Sequence, residues 1–221
     1  MALAAGCVDI PSEGHTPPDF KAQIRVMYLD PSLSGTAMIS IASAPDFDSF
    51  QTNVLGAGSF GTVTSYSTVD AGGKQLLVTG DADTSALSFA SDQVGTLLVL
   101  PMPDRFVLLG EGRMFDPVGI TGASRVRFVN AVTRGASDTL DVAVDVVQDS
   151  VVVDPGLAFR GTSDEYLEVP EGTTVTFYLT RSGAAEAITD VVMITGVSNT
   201  DYTIVGSGSA DAAVLASFEN R

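Results

Sequence analysis

The chain has 221 residues, 45% of them hydrophobic and only 17% charged, with no tryptophan, one cysteine and one histidine. Its formal charge is −16, with a pI near 4.1. A surface this acidic argues against nucleic acid as a partner and against electrostatic docking on anionic lipid. The lone cysteine excludes an intrachain disulfide and a cysteine-based zinc site, and no run of about 18 apolar residues offers a membrane-spanning helix. The apolar content suffices for one or two cores, and the abundance of Val, Thr, Ser and Gly favours strands and turns over helices.

The chain opens with small residues ahead of its only cysteine. Ala4-Ala5-Gly6-Cys7 resembles the lipobox of bacterial lipoproteins, which implies lipidation of Cys7. The charged and apolar regions of a signal peptide are missing in front of it. Two readings stay open: a lipoprotein remnant whose start lies upstream, or an incidental free cysteine. Residues 8–21 carry Pro11, Pro17 and Pro18 and no periodicity, so residues 1–21 read as a lipobox-like start and a flexible tether. His15 lies in this tether and reads as a surface residue.

From residue 22 the chain says one thing twice. Ile24-Arg25-Val26-Met27-Tyr28 alternates as a strand, and Val126-Arg127-Phe128-Val129 repeats the alternation about 100 residues later. In the second copy Val126, Phe128 and Asn130 share one face, and Arg125, Arg127 and Val129 share the other. Ala37–Ile41 is answered by Asp138–Val144, and Gly58-Ser59-Phe60-Gly61-Thr62 by Leu157-Ala158-Phe159-Arg160-Gly161-Thr162. Tyr66 and Val69 are answered by Tyr166 and Val169, and Phe106–Gly112 by Tyr202–Gly208. Seven or so short strands per copy, with turn signals every 8–12 residues, predict an all-β fold of two tandem Ig-like antiparallel β-sandwich domains. The first repeat covers residues 22–112 and the second residues 124–221. Between them, residues 113–123 form a linker whose Met114, Phe115, Val118 and Ile120 either pack the domains together or cap the first one. Residues 212–218 read as a final strand pairing with an edge.

The second repeat has a more specific likeness. Its VRFVNA opening, LDVAVD, the block from Leu157 to Gly172 and the closing Asp201-Tyr202-Thr203-Ile204-Val205-Gly206 together resemble the domain-of-unknown-function family numbered 4397. The first repeat matches loosely, with Asp30-Pro31 in place of Asn followed by small residues and no Pro-x-Gly turn after Tyr66. The resemblance implies secreted or surface-anchored β-rich domains in tandem. It supplies no catalytic residues. From the residues themselves, Tyr66 and Tyr166 are expected at structural corners, ring inward and hydroxyl on nearby backbone, with Phe60 and Phe159 in the core.

Little chemistry is in reach. Nucleophilic triads need a base, and the only histidine is in the tether. No phosphate loop or dinucleotide fingerprint occurs. The expectation is therefore a non-enzymatic protein. Calcium is the one candidate cofactor, through Asp46 and Asp48 or Asp81 and Asp83 as D-x-D pairs in loops; solvated aspartate is the competing reading. Three functions fit: a tethered envelope or extracellular module in adhesion, matrix or structure; a self-assembling subunit of a filament or layer joined by inter-chain strand pairing; or a carbohydrate or small-ligand binding module. The expected partners are an envelope or extracellular protein or polysaccharide, or another copy. The expected location is extracellular, cell-surface or periplasmic, with membrane contact only through a lipid anchor.

Overall fold

The computed structural model describes residues 20–33, 35–43, 54–81, 84–101, 105–113, 120–135 and 138–220. Period-2 alternation dominates them, and every regular element is a strand. The first unit runs through β1 (Lys21–Tyr28), β2 (Ala37–Ser43), β3 (Val54–Gly58), β4 (Ser67–Asp70), β5 (Gly72–Val78), β6 (Ser85–Phe89), β7 (Gln93–Val99) and β8 (Phe106–Arg113). The second runs through β9 (Ala123–Gly135), β10 (Asp138–Asp141), β11 (Val144–Gln148), β12 (Val151–Leu157), β13 (Leu167–Pro170), β14 (Thr174–Arg181), β15 (Val192–Thr195), β16 (Thr200–Ser209) and β17 (Ala212–Glu219). No helix among the described residues is long and apolar enough to cross a membrane.

Each unit is a sandwich of two sheets, and the two are wired alike. In the first, β4-β1-β7-β8 faces β3-β2-β5-β6. In the second, β9 carries β13 and β10 on one side and continues to β16 and β17, facing β12-β11-β14-β15. Ile24, Val26, Ile39, Leu76 and Leu97 fill the first core; Val126, Phe128, Val146, Phe177 and Ile204 fill the second. The Phe128 and Phe177 rings meet edge to face, 5.0 Å between centroids.

The duplication is therefore one of topology, and it corrects two of the strand equivalences read from sequence. The partner of β16 is β7, not β8: both pair in parallel with the opening strand, β7 along β1 from Gln23↔Val94 to Tyr28↔Val99, β16 along β9 from Thr200↔Ser124 to Ser209↔Thr133. Among the named strand pairs these two are parallel and the rest antiparallel. A long crossover through the opposite sheet allows them. Residues 138–144 are likewise not one strand. β10 pairs with β9, and the chain then crosses at Val142-Ala143 to start β11 in the other sheet, where it takes the place of β2. The final strand does pair with an edge, since β17 adds to β16 over its whole length.

The turns repeat too. Asp92 and Asn199 both adopt positive φ, 59° and 61°, just before β7 and β16. Where the second unit passes from β15 to β16, Gly196 is squeezed between carbonyls: a Cβ there would stand 2.5 Å from the Val169 oxygen and nearer still to that of Pro170. Backbone cannot yield as a side chain can. Gly196→Ala is expected to cost about 3 kcal/mol, read as a lower midpoint in urea with an unchanged slope.

Candidate functional site

Each opening strand has a second face, turned away from its own core. In β1 that face carries Arg25 and Met27; in β9 it carries Arg127, Val129 and Ala131. Both faces are buried, because the sandwiches stack on each other through them. Met27, Leu29, Leu98, Leu100 and Leu109 from the first unit and Val129, Ala131 and Val205 from the second form a third apolar cluster, with Val107, Ala216 and Phe218 at its margin. The register makes these contributions equivalent: Arg25 and Arg127 sit opposite Thr96 and Thr203, and those threonines sit opposite Leu109 and Phe218. Like positions from both repeats meet, as in a two-fold dimer interface built within one chain.

The polar part of this joint is arranged around two arginines. Arg25 is 8% exposed and Arg127 7%. Each donates through Nε to the hydroxyl of its own threonine at 2.8 Å, Arg25 to Thr96 and Arg127 to Thr203. Each also crosses to the other unit, Arg25 Nη2 to Asn220 Oδ1 at 3.4 Å and Arg127 Nη1 to the Gly110 carbonyl at 2.7 Å. Arg160 makes a third crossing, Nη2 to the Pro101 carbonyl at 3.2 Å. It does so from a positive φ of 62° at the position where the first unit has Gly61 at 80°; a long side chain replaces the residue that the backbone prefers.

The symmetry breaks in charge. Glu111, on β8, accepts from Arg25 at 3.1 Å and from the hydroxyls of Thr96 and Tyr66. The matching place beside Thr203 holds Asn220, which accepts from the Thr203 hydroxyl at 3.0 Å. Arg127 thus has no carboxylate at the place where Arg25 has Glu111, and both Arg127 Nη2 and Asn220 Nδ2 are buried donors without a protein acceptor. Asn220→Asp removes one of these unsatisfied donors while keeping the oxygen that accepts from Thr203 and Arg25. It is expected to raise stability by about 1–2 kcal/mol, seen as a higher melting temperature at neutral pH.

Tyr66 belongs to this joint, and Tyr166 is an exposed residue beside its arginine Arg127; neither ring is an inward-facing corner. The Tyr66 hydroxyl reaches the Glu111 carboxylate, and its ring lies 4.8 Å from the Arg25 guanidinium, which also stands 4.4 Å from the Phe218 ring of the other unit. Tyr166 is partly exposed and flanks Arg125 at 4.8 Å and Arg127 at 5.9 Å. Arginine over an aromatic face is a favourable cation–π contact. The buried, backbone-tied tyrosine is instead Tyr28. Its hydroxyl donates to the Gly56 carbonyl at 2.9 Å, and burial pushes its phenol up to about 12. Its counterpart Asn130 ties Val142 and Leu157 carbonyls at 2.7 and 2.9 Å. Phe60 and Phe159 are half-buried and stand outside the apolar clusters, Phe159 under the Arg160 guanidinium at 5.0 Å.

Of the remaining candidates, Cys7, Asp46, Asp48 and Asp83 lie outside the described residues. Asp81 accepts from Arg105 through both oxygens, at 2.9 and 3.1 Å, and the other side of Arg105 holds the buried Asp30 and the Leu100 carbonyl. Its carboxylate is committed to an ion pair. Arg125 pairs in the same bidentate way with Asp201, which raises the arginine further above its ordinary value. Among the described residues no group of three or more His, Cys, Asp or Glu converges on a metal-sized site. Among the described residues the clefts beside β12 and at the β14–β15 connection are open to solvent. The two beside β12 share Asp154, whose carboxyl burial and the nearby Asp164 charge push up.

Fold and joint together define a tandem all-β protein whose two sandwiches are fused face to face. No protein-family model matches the chain, and no curated protein does. Among solved structures, the TIE protein of Bacillus anthracis is 8% identical with a TM-score of 0.28, over 86% of this chain and 34% of its own. This chain thus spans about a third of that protein. A family 26 carbohydrate-binding module from Eubacterium rectale, solved with maltoheptaose, is 8% identical with a TM-score of 0.25, over 90% of this chain and 97% of its own. A leucine-rich repeat protein from Bacteroides thetaiotaomicron is 11% identical with a TM-score of 0.23, over 86% and 26%. Likenesses this loose bear on no functional assignment.

Proposed function

We propose that this chain is a non-enzymatic module of the cell envelope or extracellular space, a rigid double sandwich that holds its outer sheets and loops at a fixed geometry for contact with envelope proteins or polysaccharide. The observation that carries this reading is the joint. A buried apolar layer and three cross-unit arginine contacts convert two domains into one body, whereas tandem domains with small polar interfaces swing. Rigidity of that kind serves presentation. The acidic surface, the likeness of the second repeat to family 4397 and a lipid attachment at Cys7 fit the same role, with the residues ahead of β1 as the tether. Expression from its own gene followed by fractionation and protease shaving of whole cells tests it. The protein is expected in the envelope fraction, cleaved from outside or in the periplasm, and Cys7→Ser is expected to release it. Recovery in the cytoplasm would overturn the reading.

A further inference from the structure

Sheet edges invite pairing with other chains, and proteins usually blunt them with charge, proline or bulges. Several edges here are blunted. β12 carries Asp154, Pro155 and a positive-φ Gly156, with register shifts against β11. β13 ends in Pro170, and β4 is capped by the Lys21–Asp70 ion pair at 2.5 Å. On β6, small Ala86 and Ser88 are the exposed positions. β15, like β6 and most of β17, carries no charge, proline or bulge, but it exposes the larger apolar side chains: Met193 is 68% exposed, against 45% for Val214 on β17. β15 is the last strand of the sheet β12-β11-β14-β15, and its register against β14 runs unbroken from Thr174↔Thr195 to Phe177↔Val192.

The residues Val191-Val192-Met193-Ile194-Thr195 contain no charge, no proline and no bulge. Val192 and Ile194 point into the core, so Val191 and Met193 point out, and they are 60% and 68% exposed. They extend an apolar outer face. Val152, Val147 and Tyr178 lie side by side across β12, β11 and β14, on the face opposite the core residues Val146 and Leu179. The equivalent positions of β2 and β5 in the first unit are Ser40 and Leu77. The joint uses the other sheet of this sandwich, so the β15 edge stays open.

We propose that β15 is a self-association edge: two copies pair their β15 strands antiparallel about a two-fold axis and join their outer sheets into one. The occupant follows from charge and symmetry. At −16 the surface repels another copy nearly everywhere, but an uncharged edge meets itself without conflict. Antiparallel self-pairing sets Val191 and Met193 of both copies on one face, continuing the apolar strip of each sheet. Pro155 and Asp154 on the opposite edge block head-to-tail pairing of β15 with β12, so the assembly closes as a dimer and does not grow.

Sedimentation equilibrium of the full chain across a concentration series, at about 0.15 M and about 0.5 M salt, tests this. A monomer–dimer equilibrium is expected, tighter at the higher salt, where screening weakens the acidic repulsion. Met193→Lys is expected to weaken dimerisation at least about tenfold, since it places two lysines at the seam while altering only a solvent-facing side chain. Hydrogen exchange on the unaltered chain gives a second readout: amides of Val192–Thr195 are expected to gain protection as concentration rises. A chain that stays monomeric throughout overturns the proposal. So does a dimer that Met193→Lys leaves intact, concentration-independent exchange at β15, or filaments in place of a closed dimer.

Discussion

Glu111→Ala is expected to be among the most destabilising single changes in this protein, costing about 3–5 kcal/mol. The carboxylate is buried and gathers Arg25, Thr96 and Tyr66 at one point. Its removal strands a guanidinium that is 8% exposed and leaves two hydroxyls without their acceptor. The charge cannot relax into water, because the second sandwich lies over it. For a chain of this size the loss corresponds to a fall in melting temperature on the order of 10 °C. The position of Glu111 in the joint adds a sharper expectation. The unaltered chain should unfold in one calorimetric transition, and the variant should separate the two sandwiches into two. A single transition with an unchanged midpoint would show that the joint draws nothing from this carboxylate. Glu111→Gln keeps the shape and some hydrogen bonding and should lose less.

Arg105→Met is expected to cost a comparable amount, about 3–5 kcal/mol, but by a different route and within the first sandwich alone. Arg105 sits between two carboxylates, Asp30 and Asp81, and also donates to the Leu100 carbonyl at 3.0 Å. Asp30 is as buried as the core residues around it, with Ser32 its other partner through backbone N–H and hydroxyl at 2.8 and 2.7 Å. Methionine fills similar volume but leaves Asp30 charged in an apolar setting, and that unpaired charge is the dominant cost. The prediction is therefore a coupling. Asp30→Asn in the Arg105→Met background should restore a large part of the loss, whereas in the native background it should destabilise. A double-mutant cycle by urea denaturation measures it, and additive effects would argue that the two side chains act independently.

What could be read before folding was mostly local. Alternation of apolar residues at Ile24–Tyr28 and Val126–Asn130 makes strands whatever their surroundings, and the reappearance of that pattern with its following Phe, Tyr and turn signals marks a duplicated all-β chain. The two-sandwich architecture follows, because a one-sided strand must bury its apolar face against another sheet. Pairing partners were less legible. β7 and β8 are both apolar strands with glycines, and only a long-range parallel contact with β1 distinguishes β7 as the counterpart of β16.

The candidate site was the least legible part, for a related reason. Period-2 patterning says that a strand has two faces but not what covers the second. Alternation sets Arg127 on the strand face opposite Val126 and Phe128 without saying what lies over it, and Tyr66 and Tyr166 near a turn read as corner residues. The tertiary structure turned those faces toward each other and buried the arginines between the sandwiches. Their threonine partners are about 70 residues further along the chain and reach them only through the parallel pairing. Composition and alternation chose the kind of protein. The stacking of two inner sheets, a contact between surfaces distant in sequence, decided which polar residues hold it together and which edge remains open.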